Sequence, residues 1–253
     1  MSEHSPMRTP NRGAASTRRP VPDTMFGGRL RGAYLLDLEV VATAAIAPHV
    51  KLVTVGSSDL LGFEHEPGQD VMITFGENIR RRYTIRRADP LAGTMDFEFE
   101  LHGGNGVAAA WAARAHVGDR LEAIGPRGTV GLATDATSHL FVGDDSAMPA
   151  IFAMLEAMPP GVSATSVLVS PHAPGSRPGP ASDARLMWID ELTLADAITA
   201  LTPRTAAYVF GERALVNRAV QLLAGETNGD RIVAKAYWRR DQPNAPHGEP
   251  LRG

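Results

Sequence analysis

The sequence contains no cysteine among its 253 residues. This absence excludes disulfide bonds, thiolate zinc sites, cysteine-ligated iron–sulfur clusters and cysteine nucleophiles. It fits a reducing compartment, and we expect a cytoplasmic protein. Long apolar runs are also lacking, and no stretch reaches the length of a membrane span. Because the first two dozen residues lack the apolar segment of a signal peptide, we expect neither secretion nor membrane insertion.

The net charge, the spacing of the histidines and the lack of two motifs exclude further classes of function. The net charge is −3, which gives no general attraction to nucleic acid, so any basic function must be local. The eight histidines are dispersed without His-x-x-x-His spacing, and we expect no metal held by the protein itself. Neither a Gly-x-Ser-x-Gly elbow nor a phosphate-binding P-loop occurs. We expect a monomer.

Residues 31–130 consist of short strand-like stretches separated by turns. The stretch 95–101, MDFEFEL, places apolar residues on one face and acids on the other, as in a half-buried strand. One helix is expected, in the alanine-rich stretch 106–115. Six strands with one inserted helix predict a small, closed, six-stranded antiparallel β-barrel.

Residues 138–242 alternate strands with helices, which predicts a parallel, doubly wound α/β domain. The boundary between the domains falls in 126–138. The Pro/Gly/Ser-rich loop 171–184 is expected to be mobile. The chain ends, 1–30 and 243–253, are expected to be a disordered tail and a flexible tail.

The segment IRRRYTIRR, residues 79–87, concentrates five arginines in a mildly acidic chain. One interpretation is an edge strand whose charges deter aggregation. The other is a cofactor site, because Arg81 and Tyr83 share a face of a strand. A guanidinium can clamp a pyrophosphate, a tyrosine ring can stack on a flavin, and the Thr84 hydroxyl can hydrogen-bond the flavin nitrogen that accepts hydride.

Two further motifs suggest sites for phosphate and nucleotide. The pattern Gly104-x-Gly106-x-x-Ala109 imitates a dinucleotide fingerprint but lies among the barrel strands. It favours a phosphate at a helix N-terminus, with a ligand-free glycine turn as the alternative. The stretch GDDSAMPA, residues 143–150, follows the first α/β strand, where open sheets bind ligands. Ser146 there has a structural alternative as a helix cap, and Glu212 has one as an acid in the first turn of a helix.

Taken in order, these motifs resemble the siderophore-interacting branch of the ferredoxin–NADP reductase superfamily, the ferric-siderophore reductases. The resemblance rests on RRYTIR, LHGGNGVAAAWA, GDRLEAIGPRG, GDDSAMPAI, the Gly-Glu pair at 211–212 and the closing YWRR. It implies a flavin barrel followed by an NAD(P)H domain, with FAD and NADPH or NADH as cofactors. Val107 replaces the usual proline. Along the helix after the Gly-Glu pair, where relatives often carry arginines, this chain has Asn217 and Arg218, then Ala219 and Val220. The second departure leaves the choice between NADH and NADPH open.

The resemblance also implies roles for individual residues. Tyr83 and Thr84 would lie at the reacting flavin ring, and Lys51, Arg127 and Arg239 would form a basic substrate pocket. For Trp238 the resemblance implies a lid over the flavin, and the alternative is a core residue at the end of a buried strand. The implied cofactor-binding residues are Arg81, Tyr83, Thr84, Arg86, His102, Gly106, Ala108, Trp111, Asp144, Ser146, Ala147, Glu212 and Trp238.

We therefore expect an FAD-dependent enzyme that passes electrons from NAD(P)H to ferric iron in a siderophore and releases ferrous iron. In this interpretation iron arrives inside the substrate. A flavin reductase of the same fold that serves a protein or another small acceptor is one alternative. A module that binds FAD or a siderophore without turnover is the other.

Overall fold

The computed structural model of the chain describes residues 18–22, 32–76, 79–101, 106–201, 206–224, 231–240 and 251–252. These residues form one antiparallel sheet and one mainly parallel sheet, in that order along the chain. In these ranges no helix combines the length and the apolar character needed to cross a membrane.

The antiparallel sheet is built from strands in which buried and less buried residues alternate. Met95, Phe97 and Phe99 are buried, whereas the residues between them are half-buried, so the half-buried strand predicted from the sequence is confirmed. In the described part of the chain its eight strands are β1 (Arg19–Pro20), β2 (Tyr34–Ala47), β3 (Val50–Gly56), β4 (Asp70–Phe75), β5 (Ile79–Thr84), β6 (Arg87–Asp89), β7 (Thr94–Glu100) and β8 (Arg120–Arg127).

The strand order is β5-β4-β8-β2-β3-β7-β6, with β1 paired to β2. The antiparallel architecture and the six longer strands agree with the prediction, but β1 and β6 raise the count above six. Within the described residues no ladder joins the edge strands β5 and β6. The chain itself crosses between the edges, where Ile85 N donates to Gln69 O and Arg86 N donates to Asp96 O, both at 3.0 Å. The sheet is therefore a curled half-barrel rather than a barrel closed by a ladder.

The helix predicted in this half is present as α1 (Val107–Arg114), between β7 and β8. Ala108 and Ala112 are buried in the same apolar core as Phe97 and Phe99. Because alanine is small, the helix lies close to the sheet at the end of β7.

In the described part of the chain the second sheet contains β9 (Ser138–Asp144), β10 (Ser163–Val169), β11 (Arg185–Ile189), β12 (Ala206–Glu212), β13 (Ile232–Trp238) and β14 (Leu251–Arg252). The strand order is β11-β10-β9-β12-β13-β14, and all pairs except β13–β14 are parallel. The order runs outward in both directions from β9, which is the doubly wound arrangement that the sequence predicts. The short strand β11 was not predicted.

Helices cover both faces of this sheet. The helix α2 (Met148–Glu156) is buried from Met148 to Leu155 and packs with Phe141 and Phe210 on one face. The helices α3 (Leu194–Thr199) and α4 (Arg213–Ala224) pack with Val142 and Val209 on the other. Neighbouring strand residues thus point to opposite faces, and both faces are apolar because both are covered.

The two predicted tails are partly ordered. Arg19–Pro20 pairs with β2, and Val21 is buried, so the predicted disorder of 1–30 is wrong for residues 18–22. Leu251–Arg252 pairs with β13, so part of the predicted flexible tail 243–253 belongs to the second sheet. The other residues of both tails lie outside the described ranges.

The loop 171–184, predicted to be mobile, is anchored at two points. The side chain of Arg177 is fully buried and forms ion pairs with Glu98 and Glu100 of β7. Further along, Ala181 N donates to Glu156 Oε1 at 3.0 Å. A polar loop composition does not reveal a buried arginine that ties the loop to the other sheet.

Candidate functional site

Tyr83 lies half-buried on the edge strand β5 of the first sheet. Its ring centroid is 4.2 Å from that of Phe99 and 6.0 Å from that of Phe75. Burial raises the pKa of Tyr83 well above its ordinary value, and the nearby charge of Arg81 opposes this rise. The electrostatic influence of Arg81 agrees with the predicted shared face. The strand therefore presents a neutral aromatic ring beside a guanidinium.

Thr84, the last residue of β5, connects this edge to the second sheet. Burial raises the pKa of Tyr237 of β13 far above its ordinary value, and the nearby Thr84 side chain opposes this rise. The Tyr237 ring is stacked on Phe210 with centroids 5.7 Å apart. The next residue, Trp238, donates its Nε1 hydrogen to Asp144 Oδ2 at 3.0 Å. Consecutive residues of β13 thus contact the predicted flavin side and the predicted nicotinamide side.

The start of α1 lies near the same edge. Gly106 is the N-cap residue, with φ −66°, and no side chain caps the helix there. An uncapped helix start leaves backbone N–H groups for an anion. Trp111 packs its ring 5.5 Å from those of Phe75 and Phe99, while Ala108 is buried, so both hold the helix against the sheet. The predicted His102 lies outside the described residues.

Asp144, at the end of β9, gathers the residues predicted for the nicotinamide side. Its Oδ1 accepts hydrogen bonds from Ser146 N at 3.0 Å and Ser146 Oγ at 2.5 Å. Its Oδ2 accepts from Glu212 N at 2.7 Å and from Trp238 Nε1. Burial raises the pKa of Asp144, although these hydrogen bonds oppose the rise. Four predicted residues therefore form one connected polar cluster, called the Asp144 cluster below: Asp144, Ser146, Glu212 and Trp238.

The capping role suggested for Ser146 is not observed. The Asp144 side chain caps the short 3₁₀ turn before α2, and the N-cap residue of α2 is Ala147, which makes no side-chain capping bond. Ser146 instead donates its hydroxyl hydrogen to Asp144. Its hydroxyl oxygen lies at the carboxyl edge of the sheet, where open α/β sheets bind ligands.

Close backbone packing shapes this edge. A Cβ atom on Gly211 would lie 2.7 Å from the Asp144 carboxylate, and Gly211 has φ +125°. A Cβ atom on Gly143 would lie 2.6 Å from the Cβ of the fully buried Ala147. Glycine is therefore required at both positions for β9 and β12 to end beside the turn.

The Glu212 carboxylate accepts hydrogen bonds from backbone N–H groups. Its Oε2 accepts from Ala214 N at 2.5 Å and from Leu215 N at 3.1 Å in the first turn of α4. Its Oε1 accepts from Arg240 N at 3.2 Å. The contacts match the structural alternative for this acid, which also holds the end of β13 in place.

Arg86 is the predicted cofactor residue that the structure places elsewhere. Its guanidinium is 5% exposed and donates to Glu98 at 3.1 Å and to both oxygens of Glu156 at 2.7 Å. All three nitrogens therefore bind carboxylates at the junction of the two sheets. The sequence pattern could not reveal this, because Glu156 lies 70 residues further along the chain.

The predicted substrate residues have different surroundings. Lys51 donates to the carbonyls of Ala115 at 2.8 Å and Ala113 at 3.4 Å, at the end of α1. Arg127 lies 3.8 Å from Asp70 with its side chain mostly buried, and Arg239 is exposed after β13. Their convergence on one substrate stays a prediction.

Several polar groups at the junction of the sheets were not predicted. The rings of His49 and His172 stack with centroids 3.4 Å apart, and burial followed by the charge of His172 lowers the pKa of His49. Burial raises the pKa of Glu100 to about 7, although Arg177 opposes the rise. No sequence signal pairs these residues, because the chain brings them together from different domains. In the ranges that the structure describes, no group of three or more His, Cys, Asp or Glu side chains could hold a metal ion.

Two family models match adjacent parts of the chain. The siderophore-interacting FAD-binding domain matches residues 76–130, and the siderophore-interacting protein model matches residues 136–241. The first range contains β5 with Tyr83 and Thr84. The second contains the Asp144 cluster.

Individual relatives agree with these matches. Ferric vibriobactin reductase ViuB of Vibrio cholerae is 25% identical, with 84% of this chain and 92% of that protein covered. A siderophore utilization protein from T. fusca has a TM-score of 0.75 and 26% identity, covering 86% and 97% of the two chains. The siderophore-interacting protein SipS of Aeromonas hydrophila has a TM-score of 0.71 and 26% identity, covering 83% and 93%.

Proposed function

The chain belongs to the siderophore-interacting protein family, and from this premise we propose that it is an FAD-dependent reductase of ferric siderophores with NAD(P)H as electron donor. The proposal includes release of ferrous iron, a monomeric state and a cytoplasmic location. Curated relatives carry matching names, among them an NADPH-dependent ferric-chelate reductase of Escherichia coli that is 40% identical over 70 residues.

The residues of the first sheet fit FAD. FAD needs a flat stacking surface, a hydrogen-bonding group near its reactive ring and an anion-binding place for its pyrophosphate. Tyr83, Thr84, Arg81 and the uncapped start of α1 supply these three features on neighbouring elements. FAD would supply the conversion between two-electron chemistry at a nicotinamide and one-electron chemistry at ferric iron.

The second sheet fits a nicotinamide nucleotide at its carboxyl edge. Ser146 and Asp144 lie where the strand order reverses between β9 and β12, the usual ligand position in such sheets. Asp145 Oδ1 is buried and has no hydrogen-bond partner within the described ranges. A buried acceptor of this kind suits a ligand with an N–H donor, such as a carboxamide.

The observation that carries the proposal is the pair of contacts made by Tyr237 and Trp238. Tyr237 lies near Thr84, whose side chain opposes the rise in the Tyr237 pKa that burial causes, and Trp238 donates a hydrogen bond to Asp144 Oδ2 at 3.0 Å. Since these two residues are adjacent on β13, the groups assigned to the flavin and to the nicotinamide lie on either side of one strand end. Electron transfer between two bound cofactors requires this proximity.

Ferric iron enters the proposal as substrate. Catecholate complexes of ferric iron are strongly anionic, and an exposed arginine such as Arg239 would attract them. Ferrous iron binds hard oxygen ligands more weakly, so reduction loosens the complex.

Steady-state reduction of a ferric catecholate and a near-neutral ferric hydroxamate, followed with a ferrous-iron trap, tests this function. The FAD-loaded protein should reduce both with NADPH or NADH, and the rate with the catecholate should fall more steeply as salt rises. Arg239→Gln should lower kcat/KM for the catecholate about two- to fivefold at low salt. The control Arg185→Gln removes an exposed arginine of β11 and should change neither rate.

The failing outcomes separate the alternatives. A flavin that NAD(P)H bleaches, without any ferrous iron formed, would favour a protein or another small acceptor. A flavin that is bound but never bleached would favour the binding module.

A further inference from the structure

The loop that follows β10 meets the first sheet at the turn between β2 and β3. The ring of His172 in the loop is stacked on the ring of His49 in that turn, with centroids 3.4 Å apart and planes 14° apart. Leu101 N donates to His49 O at 2.7 Å, so the turn is fixed to the chain just after β7. Further along the loop, the buried Arg177 pairs with β7. The stack therefore attaches residues 170–176, which lie between the end of β10 and Arg177.

This part of the loop borders the carboxyl edge of the second sheet. It begins directly after Val169, which is paired in register with Asp144. The charge of Asp145, the next residue along, acts on the pKa of His49, so the turn at this edge lies beside the stack. Open α/β sheets bind their ligands at this edge. Release of residues 170–176 would therefore widen the access to it.

The packing around His49 favours a neutral ring. Its Nε2 atom is buried and has no hydrogen-bond partner within the described ranges. A neutral imidazole can leave this nitrogen as a bare acceptor, whereas an imidazolium carries an N–H donor on both nitrogens. A buried donor of a charged group without a partner is costly. A second charge on His172 would also face the first across 3.4 Å.

The charges around the stack give the direction of its pH dependence. Burial, followed by the charge of His172, lowers the pKa of His49; Arg177 adds to this and Asp145 opposes it. On the neighbouring strand β3, Lys51 donates to carbonyls at the end of α1. Because the pKa of His49 is lowered in the packed state, the stack contributes its full stability above the ordinary histidine pKa of about 6.5 and loses it as the pH falls.

Glu100 lies beside the same contact and titrates in the opposite direction. Burial raises its pKa to about 7, with Asp145 and Glu98 adding to the rise and Arg177 opposing it. A raised pKa means that the packed state holds this proton more tightly, so a falling pH favours packing at Glu100. The acid response of the stack is therefore measured against a protein that keeps Glu100 and lacks His49.

We propose that the His49–His172 stack is a pH-sensitive contact, which holds residues 170–176 on the first sheet while both rings are neutral and releases them as the rings gain protons. Arg177 keeps the middle of the loop in place during this release. Acidic solution thus opens the carboxyl edge of the second sheet without separating the two sheets. The inference concerns the packing of the loop and does not depend on the proposed function.

Hydrogen exchange of the backbone amides in 170–176 tests the proposal in the full chain. Protection factors, corrected for intrinsic exchange at each pH, are measured at pH 7.5 and 5.5 for the wild type and for His49→Phe. Phenylalanine keeps an aromatic ring at position 49 but takes up no proton. The ratio of the wild-type to the variant protection factor should fall about three- to tenfold between the two pH values, because only the wild-type stack gains charge at position 49.

Two further variants complete the test. His172→Phe removes the repulsion between the rings but leaves His49 buried, so its protection factors should fall with pH less than those of the wild type. His116→Phe is the matched control, because this histidine lies in the turn before β8 with its side chain 76% exposed. The control should keep the wild-type pH dependence in 170–176.

The proposal is overturned if the ratio of wild-type to His49→Phe protection factors is the same at both pH values. A pH dependence that His116→Phe removes as fully as His49→Phe would also overturn it. Thermal unfolding of each variant at pH 7.5 shows that it is folded, and His172→Phe provides the comparison if His49→Phe is not.

Discussion

Gly211 shows how a single position sets the geometry of the Asp144 cluster. Its φ of +125° is rarely adopted by other residues, and a Cβ atom there would meet the Asp144 carboxylate at 2.7 Å. Asp144 in turn accepts hydrogen bonds from Ser146, Glu212 and Trp238. A side chain at 211 would therefore displace the carboxylate on which the cluster is built.

Gly211→Ala should lower the free energy of unfolding by about 2–4 kcal/mol, because it adds a clash to backbone strain. Gly118→Ala is the control, since Gly118 has φ +96° with open space around its missing Cβ. This control should cost about 1 kcal/mol from strain alone. Urea unfolding at neutral pH measures both, and equal losses would show that the contact with Asp144 does not constrain position 211.

At the scale of elements, the loop 171–184 connects the second sheet to the first. Arg177 passes from the second sheet into a buried position between Glu98 and Glu100 at the end of β7. Its guanidinium also lies 5.5 Å from the centre of the Phe152 ring of α2. The loop is therefore attached to the first sheet by this buried cation and by the stack of His172 on His49 in the turn between β2 and β3.

Arg177→Met should weaken the attachment of the loop 171–184 to the first sheet. The change leaves Glu100 without its cation and Glu98 with Arg86 alone, and we expect a loss of about 3–5 kcal/mol in the free energy of unfolding. Subtilisin should cut within 171–184 faster than in the parent protein. Arg185→Met, at an exposed position on β11, should leave the stability and the cleavage pattern unchanged. Unchanged cleavage in Arg177→Met would mean that other contacts hold the loop.

At the scale of the whole molecule, local patterns predicted elements better than they predicted contacts between elements. The strand β7 and the helix α1 were predicted because burial of one face of an element produces a regular pattern among neighbouring residues. The strand β11 was missed because its five residues are exposed or half-buried and follow a polar loop. Such a strand lacks the apolar signature of its neighbours.

The candidate site was predictable where one strand or one turn carries it. Tyr83 and Thr84 lie on β5 as the motif suggests, and Asp144 and Ser146 share one turn. The surroundings of Arg86 were not predicted because its partner Glu156 belongs to α2, which packs on the other sheet. The position of Tyr237 near Thr84 was not predicted either, since the two residues belong to strands of different sheets.

Transfer of electrons from the bound flavin to ferric iron is the central claim of this account. Its most direct test is an anaerobic stopped-flow experiment, in which FAD-loaded protein is first reduced with one equivalent of NADPH or NADH and then mixed with a ferric siderophore. We predict that the oxidised flavin spectrum returns as ferrous iron appears in the trap, with about two ferrous ions per FAD because the reduced flavin holds two electrons. A flavin that stays reduced in the presence of excess ferric siderophore would contradict the account.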